Sequence, residues 1–391
     1  MKQVMVMNKR KLFVPVFSLL VLTVFLLGGA GSVTGQYKSR VEKQRELDRL
    51  ELEKVKMRVE RIRTKLAADN KKFVVGITEA IKHKIEEITG YKKPRNLSEK
   101  RMRYKSSIAE QAFVEFLKRL DGEIEEKGKP EPKVVDEDVD VDTGDKEIPE
   151  PEVKIDEKDK EIIKKHMLAD PKAKAFNWRD AGMMTSVKWQ GVCGSCWAFS
   201  SMAQYEGCYM ISNKRSLDLS EQYLLDCAVI GSRDAGSCDG GWPGDVFDYL
   251  KKNGAVEDKV LPYKGKQQKC RKRPVTNYKV ITWGYVGKKA STPTVKEVKE
   301  ALCKYGPLTC GVYATPAFQC YKSGIFDEGA RGEGANHAIV IVGWDDDRKA
   351  FLIKNSWGTD WGENGYGWVE YGCNNVGDHA MWIVVKKEGM K

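Results

Sequence analysis

Gln190-Gly191-Val192-Cys193-Gly194-Ser195-Cys196-Trp197-Ala198-Phe199-Ser200 is the stretch that decides how the chain is read. Gly191 and Gly194 punctuate a loop, and from Cys196 to about Asn213 the pattern turns helical. Cys196 then stands at a helix N-terminus, where free backbone N–H groups and the positive end of the dipole favour thiolate over thiol. A thiolate is the competent nucleophile. Taken alone, Cys193-Gly194-Ser195-Cys196 is a C-x-x-C and leaves three other readings open: a redox pair, half a zinc site, or a structural disulfide. A ribbon-type zinc site needs a second close pair, and none is present. A redox motif needs a preceding strand, for which Ser186-Val187-Lys188-Trp189 is a thin candidate.

Partners for the thiol lie downstream. The chain has four histidines, His83, His166, His337 and His379. His337 opens the apolar run Ala338-Ile339-Val340-Ile341-Val342, which would hold its imidazole at the start of a buried strand. Eighteen residues further on, Asn355-Ser356-Trp357-Gly358 follows a second strand-like run, Ala350-Phe351-Leu352-Ile353. Asn355 can accept the second imidazole N–H and fix the tautomer, and Trp357 can shield that bond from water. His379 also precedes an apolar run, but no such segment follows it; it reads as structural or surface.

With these residues the chain resembles the papain/cathepsin family of cysteine proteases over about residues 171–386. Further matching motifs are Leu219-Ser220-Glu221-Gln222, Leu225-Asp226-Cys227, Ser237-Cys238-Asp239-Gly240-Gly241, Leu261-Pro262-Tyr263, Tyr321-Lys322-Ser323-Gly324 and Trp361-Gly362-Glu363-Asn364-Gly365-Tyr366. The resemblance implies an α+β, two-lobed fold: a mainly helical lobe carries Cys196, a β-rich, barrel-like lobe carries His337 and Asn355, and the groove between them is the active site. It implies Cys196 as nucleophile, His337 as general acid/base, Asn355 as imidazole orienter and Gln190 as an oxyanion ligand with the Cys196 N–H. Trp357 and Trp361 resemble the aromatic cover. Gly240 and Gly241 match the segment that pairs with extended substrate. Trp242, Pro243, Gly311, Ala335 and Ala338 match the pocket for the side chain two before the scissile bond (P2). None of these is charged, so an apolar or aromatic P2 is expected; the residue at the pocket's floor is unassigned.

The implied reaction is endopeptidase hydrolysis through a thioester acyl-enzyme, with protein or peptide substrates. No metal, cofactor or nucleic acid is called for. A catalytically silent binding protein and another thiol acyl-transfer enzyme are the alternatives. Two family disulfides are implied, Cys193–Cys238 and Cys227–Cys270. With Cys196 free, at least one more cysteine stays unpaired, and Cys373 with Cys320 is a conceivable further pair.

Upstream, all ten cysteines being confined to Cys193–Cys373 suggests an oxidising compartment or a catalytic cluster. Met1–Lys11 is basic and residues 12–31 are almost wholly apolar, the pattern of an export signal or a single-span anchor. Residues 1–35 are assigned to that segment, and the protein to an exported, secreted or membrane-anchored location. Residues 36–128 read as a helical, coiled-coil-like pro- or stalk region that could self-associate. Its helices are expected at about 41–69 (Leu52, Val55, Val59, Ile62, Leu66), 74–90 (Val74, Ile77, Ile81, Ile85, Ile88) and 98–126 (Ile108, Ala112, Phe116, Leu120, Ile124). Residues 129–165 read as an acidic, proline-containing disordered linker: 129–161 alone hold fourteen acids and four prolines. Residues 166–391 form the peptidase region. Were the helical region an inhibitory prosegment, a cut near Ala169–Phe176 would remove it.

Overall fold

The computed structural model describes residues 30–123, 155–271, 276–287, 289–330 and 334–389. The export segment lies almost entirely outside them, as do Ile124 and residues 129–154 of the acidic linker. No helix among the described residues is long and apolar enough to cross a membrane.

The chain divides into two units, 1–57 and 58–391. Helix α1 (Ala30–Ala68) begins in the first, where Leu47, Leu50, Leu52 and Met57 are exposed. Its last turns belong to the second. There Val59 and Leu66 are buried, and Arg58 and Arg63 donate to the carbonyls of Ile81 and Val75 at 3.3 and 3.0 Å.

The helix expected at 74–90 does not form. Val74–Val75 is a strand, β1, Ala80–Lys82 and Ile85–Ile88 are single turns, and the rest carries no regular structure. Phe73, Val75, Ile81, Ile88 and Tyr91 are buried, and backbone groups on both sides of the segment bond to the peptidase region. A spacing that suits one helix face here serves a chain that drops successive apolar anchors into a cleft, and tertiary contact overrides the period.

Helix α2 (Glu99–Leu120) is capped by Ser98, whose Oγ accepts from Arg101 N at 3.2 Å. Its buried face is Met102, Ala109, Phe113, Val114 and Leu117, one stripe round from the expected one: Ile108 is exposed and Ala112, Phe116 and Leu120 are half-buried. The helix carries apolar residues on two adjacent stripes. The one with small residues, Ser106 and Ala109, faces the sheet because only it permits the close approach seen there.

The disordered-linker reading is also corrected at its end. Glu157–Lys165 is a helix, α3, started by a reciprocal capping box of Asp156 and Asp159. Lys118 of α2 meets Asp159 at 2.6 Å, and Asp121 takes Lys165 and His166 at 2.9 and 3.0 Å.

Beyond it, strand β2 (Ala175–Asn177) leads to the central helix α4 (Cys196–Asn213). That helix is apolar nearly all round and buried along most of its length, as an interior helix must be. Helices α5 (Glu221–Cys227) and α6 (Pro243–Asn253) flank it, started by Ser220 accepting from Tyr223 N and by Pro243 in the first turn.

A mixed sheet follows: β3 (Val280–Tyr285), β4 (Leu308–Val312), β6 (Ile325–Phe326), β7 (His337–Asp345), β8 (Ala350–Lys354), β9 (Tyr366–Glu370) and β10 (Asp378–Val385) in the order β6-β9-β8-β7-β4-β10-β3, with β2 also paired to β7. A separate short strand, β5 (Tyr321–Ser323), pairs with β1. β7 is buried from His337 through Trp344 and contacts α4, which brings the helix start to the strand start. One core joins Trp197, Tyr205, Phe247, Leu250, Trp283 and Met381 with Tyr91 and Met102 from the N-terminal region.

Candidate active site

Cys196 is the first residue of α4, and its sulfur is free and buried. His337 is the first residue of β7, and Asn355 follows the last residue of β8. Because β7 and β8 are antiparallel, with Val340 opposite Lys354, both side chains come to one end of the sheet. The Ala338 N–H points at the Cys196 sulfur at 3.4 Å, which sets that sulfur beside His337.

The Asn355 Oδ1 accepts from Ser356 N at 2.8 Å, so it is the oxygen. It also lies 2.8 Å from His337 Nε2, which must therefore carry a proton. Nδ1 is left as the basic nitrogen, buried and without a hydrogen bond. The Trp357 ring lies over the imidazole, 4.4 Å between centroids and inclined by 28°. Trp361 is one layer out, packed on Phe318 and Trp357 at 5.0 and 6.2 Å.

Gln190 is fully buried. Its Oε1 accepts from Ser356 Oγ at 2.6 Å, and its Nε2 donates to Cys193 O at 2.7 Å and to Ile88 O at 3.2 Å. The loop carrying it is tied by the Cys193–Cys238 disulfide. It is further held by Tyr263, whose hydroxyl donates to Gln190 O and lies 2.7 Å from Ser195 Oγ.

The cleft is occupied by the chain itself. Trp357 Nε1 donates to the Ile88 carbonyl at 3.1 Å. The Gly90 N–H is close enough to the Cys196 sulfur to favour its thiolate form. Gly241 N donates to Gly90 O at 2.8 Å, Lys92 N to Gly241 O at 3.0 Å and Tyr91 N to Asn336 O at 2.9 Å. Tyr91 and Gly241 form a parallel bridge. A side chain at Gly240 would meet Gly90 O at 2.7 Å, so the glycine pair lets the two backbones meet.

The Tyr91 ring sits 5.0 Å from Trp242. A Cβ on Gly311 would reach the ring at 2.6 Å and Ala335 Cβ at 2.5 Å. Ala338 is opposite Gly311 in the sheet, and Pro243 opens α6 next to Trp242. At the far end the tyrosine hydroxyl donates to the Asp378 carbonyl at 3.2 Å, which supplies the pocket end left unassigned from sequence. His379 is buried edge-on to Trp242 at 5.6 Å, at the edge of this pocket, so it is structural rather than surface.

Covered in this way, the pair is driven towards its neutral forms. Burial pushes the Cys196 thiol up to about 12, against several backbone N–H donors. Burial lowers His337 to about 4, against the Asn355 bond. Cys227–Cys270 is the second disulfide. Cys320 and Cys373 are not paired: their thiols point to Pro316 O and Asn374 Oδ1, both at 3.1 Å.

The family model for papain family cysteine protease matches residues 172–385. The chain belongs to the papain family of cysteine proteases. Ananain of Ananas comosus is 38% identical over 198 residues, 49% of this chain and 54% of that protein. The chain spans about half the length of the curated relatives it matches. Among solved structures, a digestive procathepsin L 3 of Tenebrio molitor larval midgut matches with a TM-score of 0.50 and 27% identity, over 56% of this chain and 72% of that one. Recombinant stem bromelain precursor matches with a TM-score of 0.60 over 90% of this chain and 99% of that chain; at 22% identity the likeness is one of fold, and it extends through the N-terminal region.

Of the papain-family positions, the geometry gathers Cys196, His337, Asn355, Gln190 and Trp357 at one point, with Gly240, Gly241, Trp242, Gly311 and Ala335 along the cleft. The sequence reading missed Ile88, Gly90 and Tyr91. Their one signal was that Thr89-Gly90-Tyr91 breaks the helical pattern well before Pro94.

Proposed function

We propose that this protein is a cysteine-type endopeptidase held inactive by its own residues 71–92. The observation that carries this is the Ile88–Lys92 segment lying across Cys196 with its backbone paired to Gly241. That course across the cleft supports prosegment over stalk for this stretch. Its parallel pairing with Gly241 and the buried, neutral pair explain how a peptide can sit on a nucleophile without being cut.

Once the segment leaves, the thiol and imidazole regain solvent and can exchange a proton to give thiolate and imidazolium. The thiolate attacks the scissile carbonyl, and Gln190 Nε2, freed from Ile88, and the Cys196 N–H receive the oxyanion. His337 gives its proton to the leaving amine, then takes one from the water that opens the thioester. Asn355 holds the ring in the productive tautomer throughout.

Tyr91 in the Trp242–Gly311–Ala335 pocket supports an apolar or aromatic P2. The charge-then-apolar start of the chain and the two disulfides support export. The test is hydrolysis of a fluorogenic peptide with an aromatic P2 by the full-length protein before and after proteolytic removal of residues up to 92, with Cys196→Ala as control. Activity should appear only after removal and only with Cys196. Full activity in Cys196→Ala would exclude the mechanism.

A further inference from the structure

We infer that the activating cut falls in the exposed turn Lys92–Asn96, and that helix α2 stays on the active enzyme as part of its body. This rests on the reading of residues 71–92 as an inhibitory prosegment.

The blocking segment makes its last backbone bond to the cleft at Lys92. Directly after it Lys93, Arg95 and Asn96 are exposed, in a turn closed by Leu97 N donating to Pro94 O at 3.3 Å. Ser98 then caps α2. Everything that must leave to free Cys196 lies before this turn.

Helix α2 is built into the sheet. Phe113 packs on Tyr305 at 4.9 Å and Trp382 at 6.4 Å, and those two rings stack on each other at 4.0 Å. The hydroxyl of Ser106 accepts from Tyr285 N of edge strand β3 at 2.8 Å. Glu99 accepts from Ala290 N and Ser291 N, both at 3.0 Å, and Ser291 O in turn accepts from His379 N at the edge of the Tyr91 pocket. Lys105 pairs with Asp248 at 2.8 Å and lies 4.0 Å from the Trp283 ring centroid. A Cβ on Gly284 would meet Ser106 Cα at 3.1 Å, so the strand is shaped for this helix. Losing α2 would uncover an aromatic wall and leave a strand edge and a loop beside the pocket without partners.

The second half of the border at 169–176, from Ala173 on, is a poor alternative. Ala173 O accepts from Trp344 Nε1, Lys174 O accepts from Asp346 N, and Ala175–Asn177 is paired to β7. The turn suits a protease that takes a basic residue before the cut. Hydrolysis of the Arg95–Asn96 bond consumes one water and leaves a carboxylate on Arg95 and an ammonium on Asn96.

The test is brief digestion of the full-length protein with trypsin, with the active fraction isolated by size exclusion and analysed by mass spectrometry. The expected active species begins between Lys93 and Asn96 and retains residues 99–120, co-eluting even if chain breaks elsewhere leave them non-covalent. The exposed triple variant Lys92→Gln/Lys93→Gln/Arg95→Gln should fold and lose the trypsin-released activity. Full release from that variant, or an active species that begins beyond residue 155 without 99–120, overturns the inference. A cut in the turn with the segment gone and no hydrolysis would support the cut and sink the peptidase reading instead.

Discussion

Gly90 and Gly194 meet backbone to backbone: a Cβ on Gly90 would stand 1.9 Å from the carbonyl oxygen of Gly194, and one on Gly194 would stand 2.6 Å from that of Thr89. The segment around Gly90 can lie on the loop before Cys196 only because neither residue has a side chain. The partner atoms are backbone, so no side chain can swing away.

Gly90→Ala should therefore unseat the segment without touching the peptidase body. Overpacking of this kind costs about 1–3 kcal/mol, which raises the open fraction roughly 5- to 150-fold. Hydrolysis of a fluorogenic peptide by uncut protein measures it; a variant as silent as the parent would contradict the contact.

Asn355→Ala removes the acceptor that fixes the His337 tautomer. Loss of one hydrogen bond to a buried imidazole should lower kcat roughly 5- to 150-fold with KM unchanged. Steady-state kinetics on the cut enzyme reads the split. A raised KM with kcat intact would assign Asn355 to substrate binding.

Closure should weaken in acid. Burial holds His337 at about 4 against an ordinary 6.5. In Cys196→Ala, where no thiol can hand the ring its proton, an opened cleft takes up a proton between those values that the closed one refuses. Closure is therefore fully stable above 6.5, loses stability as pH falls towards 4, and levels below that, by on the order of 3 kcal/mol at most. Amide exchange of Tyr91 and Lys92 in that variant, corrected for the intrinsic pH effect, should speed up across that window. Constant protection would contradict the sign.

Gly311→Ala should shorten the pocket that holds Tyr91, because Ala335 Cβ cannot move aside. The parent enzyme should prefer tyrosine or phenylalanine at P2 over valine, and the variant should reverse that order. A P2 series of peptide substrates measures it, and an unchanged order would place the P2 side chain elsewhere.

The site was legible where chemistry is locally encoded. Cys196 at its helix start, His337 before an apolar strand and Asn355 before Ser356-Trp357 announce themselves because each role demands one residue type in one local setting. The course of residues 71–92 through the cleft was not legible. Ile77, Ile81, Ile85 and Ile88 carry a helical spacing, yet the binding energy comes from a cleft supplied by residues more than a hundred positions away. Helix α2 was found but turned by one stripe, because Ile108 and Phe116 look like better anchors than Ser106 and Ala109 until the sheet's closeness is known. The pocket's end at Asp378 escaped because it is a backbone carbonyl, which no side-chain pattern reveals.

The most direct measurement is mass-spectrometric labelling with an epoxide-type thiol-protease inhibitor before and after removal of residues up to 92. One adduct on Cys196 is expected after removal and none before. Equal labelling in both states, or an adduct on another cysteine with Cys196 untouched, would contradict the account of a single nucleophile covered by its own chain.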